Sequence, residues 1–338
     1  MKFGVMIRGQ CWLDDDMAAY FRDAMEQARL AQSLGFASIA KGSHYSVRPL
    51  QDLQQLIFLT RVMTEALDLQ LIAGVVLVPL HKPLDLAEQL ATIDVMSGGR
   101  LVFGAGLGYR EVEFKAFGTD QKDRVRRLEE NLIAIKRLWT EDTVDMVGSH
   151  FELAGAACST KPVQRPHPPI WLGANADVAI RRAARLGDCW FINPHQHMGT
   201  IGRQIDIYKR ALEDVGKPMP DGLPALREVF VADTREQAVE LCKPYLEARY
   251  RVYQSWEQDK AMPADDNSLD LDFDELIDGR FIIGSSDEVV EQIIEHARVA
   301  HVNHLVMGLH WPGMPQNMAL EAMHRIAEEV MPRVREAL

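Results

Sequence analysis

The chain has 338 residues, of which 47% are hydrophobic and 25% are charged, so it can bury a large core. Its formal net charge is −12 and no basic block offsets it, which argues against a nucleic-acid-binding protein. The longest apolar runs, such as 71–80, are too short to cross a bilayer, and the N-terminus enters a strand directly, without the pattern of a signal peptide. We therefore expect a cytoplasmic protein that binds no membrane, with its 4 isolated cysteines unpaired.

Buried strands alternate with helices along the whole chain. The apolar runs typical of strands covered on both faces predict strands at 2–7, 36–40, 69–78, 101–104, 169–172, 188–192, 226–231 and 304–309. Apolar residues on one face predict helices at 16–34, 50–66, 83–96, 123–139, from 175 or 177 onward, and at 234–253, 285–300 and 315–334. Eight such strands imply a parallel sheet, and eight is the number that closes into a barrel. We predict one α/β domain over 1–338, a (β/α)8 TIM barrel with insertions; a doubly wound open sheet is the alternative.

Two segments interrupt this alternation. Residues 141–167 contain several glycines and prolines, which predicts an irregular surface excursion that accommodates a small hairpin. Residues 256–278 are acidic and poor in apolar side chains, which predicts either a mobile loop or a lid.

Candidate site residues follow from the barrel itself, because its chemistry takes place where the strands end. This rule selects Arg8, His44, Gly74, Val75, Gly106, Asn175, His195 and His310.

The stretch Asp94–Gly118 contains a glycine-rich strand exit, Gly104–Gly108, followed by polar residues. It is not a dinucleotide fingerprint, because the third glycine is misplaced and we expect a loop, not a helix, to follow. Glycines at a strand exit let backbone or a flat ligand approach closely. The stretch therefore predicts the mouth of a binding site.

Two features suggest an anion site. The predicted fifth strand exits through Gly173 and Ala174 into the start of a helix, where free backbone N–H groups favour anions, although an ordinary turn capped by Asn175 or Asp177 is the alternative. Arg124, Arg126 and Arg127 open another helix, where the helix dipole disfavours cations. One of them could hold a phosphate; otherwise they form a solvated basic face.

The histidines at strand ends have alternative interpretations. His44 could serve as an acid or base, or could be a structural residue at a loop start. His195 and His197 have a spacing that metal ligands use, but no third ligand lies nearby in the sequence, so we predict no metal site.

The motif DVMSGGRLVFGAGLGYREVEFKAFG over Asp94–Gly118 resembles the luciferase-like flavin monooxygenases, the family of bacterial luciferase, alkanesulfonate monooxygenase and the F420-dependent reductases. Further stretches are similar to the same family, namely GFASIAKGSHY, PPIWLGANADVAIRRAARLGD and FIIGSSDEVVEQI. The resemblance covers nearly all of the chain. It implies a (β/α)8 barrel that binds flavin at the carboxyl ends of its strands.

The resemblance also implies roles for particular residues. Gly74 and Val75 match the point where the family has a non-proline cis peptide beside the flavin ring, and His44 matches a histidine near that ring. Arg124 and the stretch 173–176, which comprises Gly173, Ala174, Asn175 and Ala176, match the site of the cofactor phosphate. By the same likeness we expect Gly106 to contact the cofactor. Arg8, His195, His310 and Trp311 are our candidates for the substrate pocket.

The sequence departs from the family pattern at three places. Asn175 and Ala176 stand where many members have hydroxyl side chains for the phosphate, so backbone N–H groups and the Asn175 amide would have to serve. Gly42 and Ser43 precede His44 where many members have a glutamate. Gly106 stands where luciferase has a cysteine, so light emission is not implied.

Our leading hypothesis is a monooxygenase with His44 as its catalytic residue, which uses reduced FMN and O2 to oxygenate a small organic substrate. The resemblance implies a separate flavin reductase as partner and a homodimer or homotetramer. An F420-dependent hydride-transfer oxidoreductase is the first alternative, and a non-catalytic flavin-binding barrel is the second. A barrel enzyme that acts on phosphorylated substrates without flavin is the third.

Overall fold

Eight parallel strands form the centre of the molecule. The computed structural model describes residues 1–263, 265–266 and 268–338. The strands are β1 (Lys2–Met6), β2 (Ser38–Lys41), β3 (Gln70–Leu77), β4 (Leu101–Gly106), β5 (Ile170–Gly173), β6 (Cys189–Phe191), β7 (Leu223–Ala232) and β8 (Val302–Gly308).

The strands pair in chain order from β1 to β6, and β8 pairs with both β1 and β7. The remaining junction, between β6 and β7, is made by one parallel bridge between Ile192 and Ala225. The Ile192 N–H donates to the Pro224 carbonyl at 3.0 Å, and the Leu226 N–H donates to the Ile192 carbonyl at 2.9 Å. The ring of strands is therefore complete, and the predicted (β/α)8 TIM barrel is confirmed.

The strands are apolar throughout because each one has two buried faces. In β3, Leu71 and Ala73 pack outward against the helices, whereas Ile72 points into the barrel. The barrel interior contains a small apolar cluster of its own, which consists of Met6, Ala40, Ile72, Val102, Trp171, Phe191, Leu226 and Val306. Side chains alternate between the two faces of a strand, so no polar face interrupts the sequence.

Helices surround the barrel. They are α1 (Met17–Ser33), α2 (Gln55–Val62), α3 (Pro83–Met96), α4 (Glu111–Ala116), α5 (Arg124–Thr140), α6 (Asp177–Leu186), α7 (Met198–Asp214), α8 (Arg235–Ser255), α9 (Phe273–Ile277), α10 (Ser286–Ala300), α11 (Gln316–Arg325) and α12 (Met331–Ala337). From α3 onward, the bounds of each helix that the sequence predicted differ from the observed bounds by a few residues at most.

The second predicted helix begins later than expected. Residues 50–66 were predicted as one helix, but Leu50–Asp52 is a strand that pairs antiparallel with Gln10–Trp12, and the helix covers only Gln55–Val62. The reason is local: the Asp52 carboxylate accepts hydrogen bonds from Gln10 at 2.7 Å and from Lys41 at 2.6 Å, which holds this segment extended beside the barrel.

Other elements were not expected from the sequence. The loop predicted after Gly108 contains α4, which buries Glu113 and Phe114. Helix α7 follows β6, and a short strand, Ile282–Ser285, extends the sheet beside the end of β7. The closing helix predicted at 315–334 is divided by a wider turn at Ile326–Val330, next to Pro332, which lacks the N–H that a regular helix needs there.

The two predicted insertions have defined structure. The excursion at 141–167 contains an antiparallel hairpin of Val144–Val147 and Glu152–Ala156. The acidic segment 256–278 contains a short turn at Gln258–Ala261 and helix α9, whose Phe273, Leu276 and Ile277 are buried against α8 and its neighbours. Ala264 and Asn267 of this segment lie outside the described residues. Within the described part of the chain, no helix combines the length and apolar character needed to cross a membrane.

Candidate functional site

A cavity of about 720 Å³ opens at the carboxyl ends of the barrel strands. Most of the sequence-predicted site residues line it, namely Arg8, His44, Gly74, Val75, Gly106, Arg124, Gly173, Ala174, Asn175, Ala176 and His195. His310 and Trp311 do not line it. The strand-end rule and the family resemblance therefore select residues that lie around one cavity.

The floor of the cavity is formed by the ends of β3 and β4. The Gly74–Val75 peptide bond is cis, as the resemblance implied. A Cβ added to Gly104 would collide with the Ala73 carbonyl oxygen, and one added to Gly106 would collide with the Val75 side chain. These glycines therefore let the irregular end of β3 pack closely on β4. Gly74, Val75 and Gly106 form the floor of the cavity there.

His44 lies at the rim, with its side chain 17% exposed. Its Nδ1 is 3.1 Å from Oε1 of Glu113, a fully buried carboxylate on α4. The same oxygen accepts the Tyr45 N–H at 2.9 Å, and Arg110 lies 3.4 Å away. Glu113 thereby fixes the orientation of the His44 ring and selects Nδ1 as the nitrogen directed at it, which leaves Nε2 for other partners.

The side of the cavity beneath β4 and β5 is suited to an anion. Arg124 is the first residue of α5 and lines the cavity, and its Nε is buried without a hydrogen-bond partner in the described structure. Helix α6 begins beside it, and its N-cap residue, Ala176, has no side chain that could bond the first amides. A cation and uncapped helix amides thus face the same space. Arg126 pairs with Asp123 and Arg127 bonds the Pro79 carbonyl, so neither contributes there.

Asn175 also has a structural role at the rim of the cavity. Its Oδ1 accepts from Asn193 at 2.6 Å, and its backbone carbonyl accepts from the side chains of Gln196 and Gln204. These bonds tie the β5 exit to the β6 exit. They leave the Asn175 amide nitrogen, but not its oxygen, for a ligand.

On the opposite side of the barrel, Arg8 forms a buried ion pair with Glu228 of β7. Nη2 of Arg8 lies 2.5 Å from both carboxylate oxygens. Burial lowers the pKa of the Arg8 guanidinium, but Glu228 raises it overall above its usual value, so Arg8 stays charged. Trp311 donates to Oε2 of Glu228 at 2.8 Å and His310 bonds Gln27 and the Met314 carbonyl, so both lie behind the cavity wall.

His195 lines the cavity, whereas His197 does not. Burial, and then the charges of Arg8 and Arg249, lower the pKa of His195 to about 3, so it is neutral at physiological pH. Its Nδ1 is buried without a hydrogen-bond partner in the described structure. His197 caps α7 by accepting the Gly199 N–H at 2.9 Å. His195 therefore belongs to the cavity wall, whereas His197 stabilises the start of α7.

Sequence reasoning missed several residues of the site. Glu113 belongs to the recognised motif but had no assigned role, and Arg249 and Tyr253 come from α8, far along the chain. Residues 257–262 of the acidic segment also line the cavity, at Glu257, Gln258, Lys260, Ala261 and Met262. The helical spacing of Arg249 and Tyr253 places them on one face of α8, but only the fold shows that this face covers the barrel mouth.

The model of the luciferase-like monooxygenase family matches residues 1–304 of the chain. The chain belongs to this family. Within the family, an FMNH2-dependent dimethylsulfone monooxygenase of Pseudomonas putida is 34% identical over 155 residues, which are 45% of this chain and 42% of that protein. An F420-dependent glucose-6-phosphate dehydrogenase of Amycolatopsis mediterranei is 26% identical over 266 residues, which are 75% of this chain and 76% of that protein.

The barrel is also similar to solved structures of this family. The crystal structure of monooxygenase RslO1 from Streptomyces bottropensis superposes with a TM-score of 0.85 at 23% identity, covering 98% of this chain and 99% of that one. At this level of identity the likeness shows the fold. Luciferase-like relatives of the chain therefore include users of FMNH2 and of F420.

Proposed function

We propose that the protein is a flavin-dependent monooxygenase that uses reduced FMN and O2 to oxygenate a small organic substrate. The observation that carries the proposal is the arrangement around the cavity. His44, held by the buried carboxylate of Glu113, borders the same space as the bare floor at Gly74 and Gly106 and the anion side at Arg124. A flat ring with a phosphate tail matches this arrangement.

The residues present fit FMN in two respects. Arg124, with its unpartnered Nε, and the uncapped amides of α6 would hold the phosphate. The floor formed by Gly74, Val75 and Gly106 would support the ring, because no side chain longer than Val75 rises from it. Bound reduced FMN would supply the electrons that activate O2.

The side chains of the protein would control protons and water. His44 would hold or move a proton through Nε2, since Nδ1 is directed at Glu113. Tyr253 and residues of the segment 257–262 line the cavity and would help to exclude water from the reacting atoms. We therefore assign His44 as the catalytic residue and Glu113 as its positioning residue.

A reductase partner is part of the proposal. One relative is named as an FMNH2-dependent monooxygenase, that is, an enzyme that uses flavin which is already reduced. Reduced FMN would then come from a separate flavin reductase. We expect that adding such a reductase with its electron donor supports turnover.

F420-dependent hydride transfer is the alternative that a relative favours, since the Amycolatopsis mediterranei enzyme uses F420. Anaerobic titration separates the two functions. We expect reduced FMN to bind with micromolar affinity and reduced F420 not to bind. Binding of F420 without binding of FMN would contradict the proposal, and binding of neither would favour a barrel enzyme that uses no flavin.

A further inference from the structure

Arg249 on α8 is a buried cation without a partner of opposite charge. It is 2% exposed and lines the cavity. Its Nη2 donates to the Tyr253 hydroxyl at 2.5 Å, and its guanidinium lies 4.2 Å from the centre of the Tyr253 ring. Among the residues that the structure describes, its Nε and Nη1 have no hydrogen-bond partner and no carboxylate lies within ion-pair distance. A buried charge in this state is costly unless a ligand supplies the acceptor.

The surroundings of Arg249 carry an excess of positive charge. Arg8 pairs with Glu228, but its Nε has no partner in the described part of the chain. Arg227, the neighbour of Glu228 in β7, does not line the cavity, because it bonds His296 and the Asn193 carbonyl on the outer face of the strand. This side of the cavity thus has two buried guanidinium groups, those of Arg8 and Arg249, for one buried carboxylate, in a chain whose net charge is −12. The lysine and glutamate at the rim, Lys260 and Glu257, neutralise each other at 2.5 Å.

His195 adds a polar group without adding charge. It is neutral at physiological pH, and its unpartnered Nδ1 lies at the same side of the cavity. Its ring centre lies 5.0 Å from that of Tyr253, the same ring that the Arg249 guanidinium contacts at 4.2 Å, so His195 and Arg249 border the same part of the cavity. A small oxyanion would find several donors here.

Arg8 lies across the barrel from the phosphate side, whereas His195 lies next to that side. Arg8 follows β1, Glu228 belongs to β7 and His195 follows β6, whereas Arg124 and Ala176 follow β4 and β5. In an eight-stranded ring, β1 and β5 are on opposite sides. The unpartnered donors of Arg249 are therefore distinct from those that we assign to the cofactor phosphate.

We propose that Arg249 and Arg8, with His195, bind an anionic oxygen group on the substrate, a carboxylate or a sulfonate. The apolar side chains of Met6, Phe191 and Leu226 line the cavity and would contact the hydrocarbon part of such a substrate. The inference rests on the proposed function, because the substrate side is defined by where the flavin would bind. Guanidinium groups suit both anions, which present paired oxygens to two N–H donors.

Matched probes test this inference by calorimetry. Pentanoate is compared with pentanamide, and butanesulfonate with butanesulfonamide, in the flavin-free protein and after loading with oxidised FMN. We expect at least one anion to bind about tenfold or more tightly than its neutral amide, since hydrogen bonds to a charged group are the strong ones. The pair with the larger difference identifies the preferred anion.

Two variants locate the site. Arg249→Gln should remove the preference for the anion, and Arg249→Lys should retain part of it because the charge remains. Arg124→Gln is the matched control: it should weaken FMN binding and leave anion binding unchanged. If Arg249→Gln does not fold, the comparison of anion and amide in the wild type and in Arg249→Lys still tests the anion site.

Several results would overturn the anion site. The first is equal affinity for an anion and its amide, and the second is no binding of any probe at millimolar concentration with or without FMN. The third is competition between the anion and FMN. The fourth is loss of anion binding in Arg124→Gln instead of in Arg249→Gln. Failure of the protein to bind FMN would contradict the proposed function instead, and the comparison in the flavin-free protein would remain valid.

Discussion

At the scale of single residues, His44 and Glu113 form the most distinctive pair of the candidate site. A carboxylate that is fully buried, yet bonds a histidine at a cavity rim, fixes the histidine ring without itself reaching the ligand. Its Oε1 receives contacts from His44, Tyr45 and Arg110, whereas its Oε2 has no partner in the described structure. Substitution of His44 or of Glu113 should therefore impair the same step of the reaction, the one in which His44 takes part.

His44→Ala should lower turnover by about 100-fold or more while the affinity for FMN changes little, because a positioned acid or base contributes on this scale. The measurement is product formation with a reductase and an accepted substrate, alongside FMN titration. His324→Ala serves as control, since that histidine is exposed and pairs with Glu328 of its own helical segment. Unchanged turnover in His44→Ala would refute the catalytic assignment.

Glu113→Gln should reduce turnover less than His44→Ala, since the ring remains but loses its anionic partner. The double variant should be no slower than His44→Ala alone, because residues that act through one another are not additive. If the two losses multiply, Glu113 has a role of its own and does not act by positioning His44.

Gly106→Ala should destabilise the fold by about 1–3 kcal/mol, since overpacking forces the Val75 side chain to move. It should also weaken FMN binding, because the cavity floor would shift. Gly42→Ala, at the exit of β2, is the matched control, because the added Cβ would come within 4 Å only of the Gly74 carbonyl oxygen among the described residues, at 3.7 Å. Equal urea midpoints for both variants would contradict this account of the floor.

At the scale of elements, the strands could be predicted but several connections could not. Strands such as β3 and β8 are buried on both faces, so their apolar runs are visible in the sequence. The strand at Leu50–Asp52 contains leucine, glutamine and aspartate. It is extended because Asp52 bonds Gln10 and Lys41, which lie 42 and 11 residues away along the chain. Tertiary contacts override local preference there.

The same distinction applies to the site. Residues at strand ends could be predicted, because the barrel brings all carboxyl ends of its strands together. Arg249 could not, since it reaches the cavity from the middle of a 21-residue helix whose position over the mouth no local pattern encodes. His310 and Trp311 follow β8 as predicted, but their partners Gln27 and Glu228 hold them behind the wall.

The start of α10 gives a test at this scale. Ser285 caps the helix in a reciprocal arrangement with Glu288, whose pKa is lowered first by the hydrogen bond from the Ser285 backbone. Ser285→Ala should lower the free energy of unfolding by about 1 kcal/mol. Ser33→Ala, at an exposed helix end, should have almost no effect in the same urea titration. Equal losses would show that the cap contributes nothing specific.

At the scale of the whole molecule, buried histidines should link stability to pH. Burial lowers the pKa of His304 to about 4, and that of His296 to about 3. Their unfolded pKa is near 6.5, so the unfolded chain binds more protons between these values and stability falls as pH decreases through this window. The stabilisation is complete above about pH 6.5, where both states are neutral.

His304→Gln should therefore flatten the loss of stability between about pH 6.5 and pH 4, by about 3 kcal/mol at most. Glutamine can still bond Ser38, which His304 contacts at 2.7 Å. Urea unfolding at a series of pH values measures the slope. His324→Gln, which changes an exposed histidine, should leave the slope unchanged. Equal slopes for the wild type and His304→Gln would contradict the assignment.

The central claim is that one cavity at the barrel mouth holds FMN between a glycine-rich floor and an anion side. A crystal structure of the protein soaked with FMN tests it most directly. We predict that the ring contacts Val75 and Gly106, that the phosphate contacts Arg124 and the start of α6, and that His44 borders the ring. A phosphate bound at Arg249, or FMN bound outside this cavity, would contradict the claim.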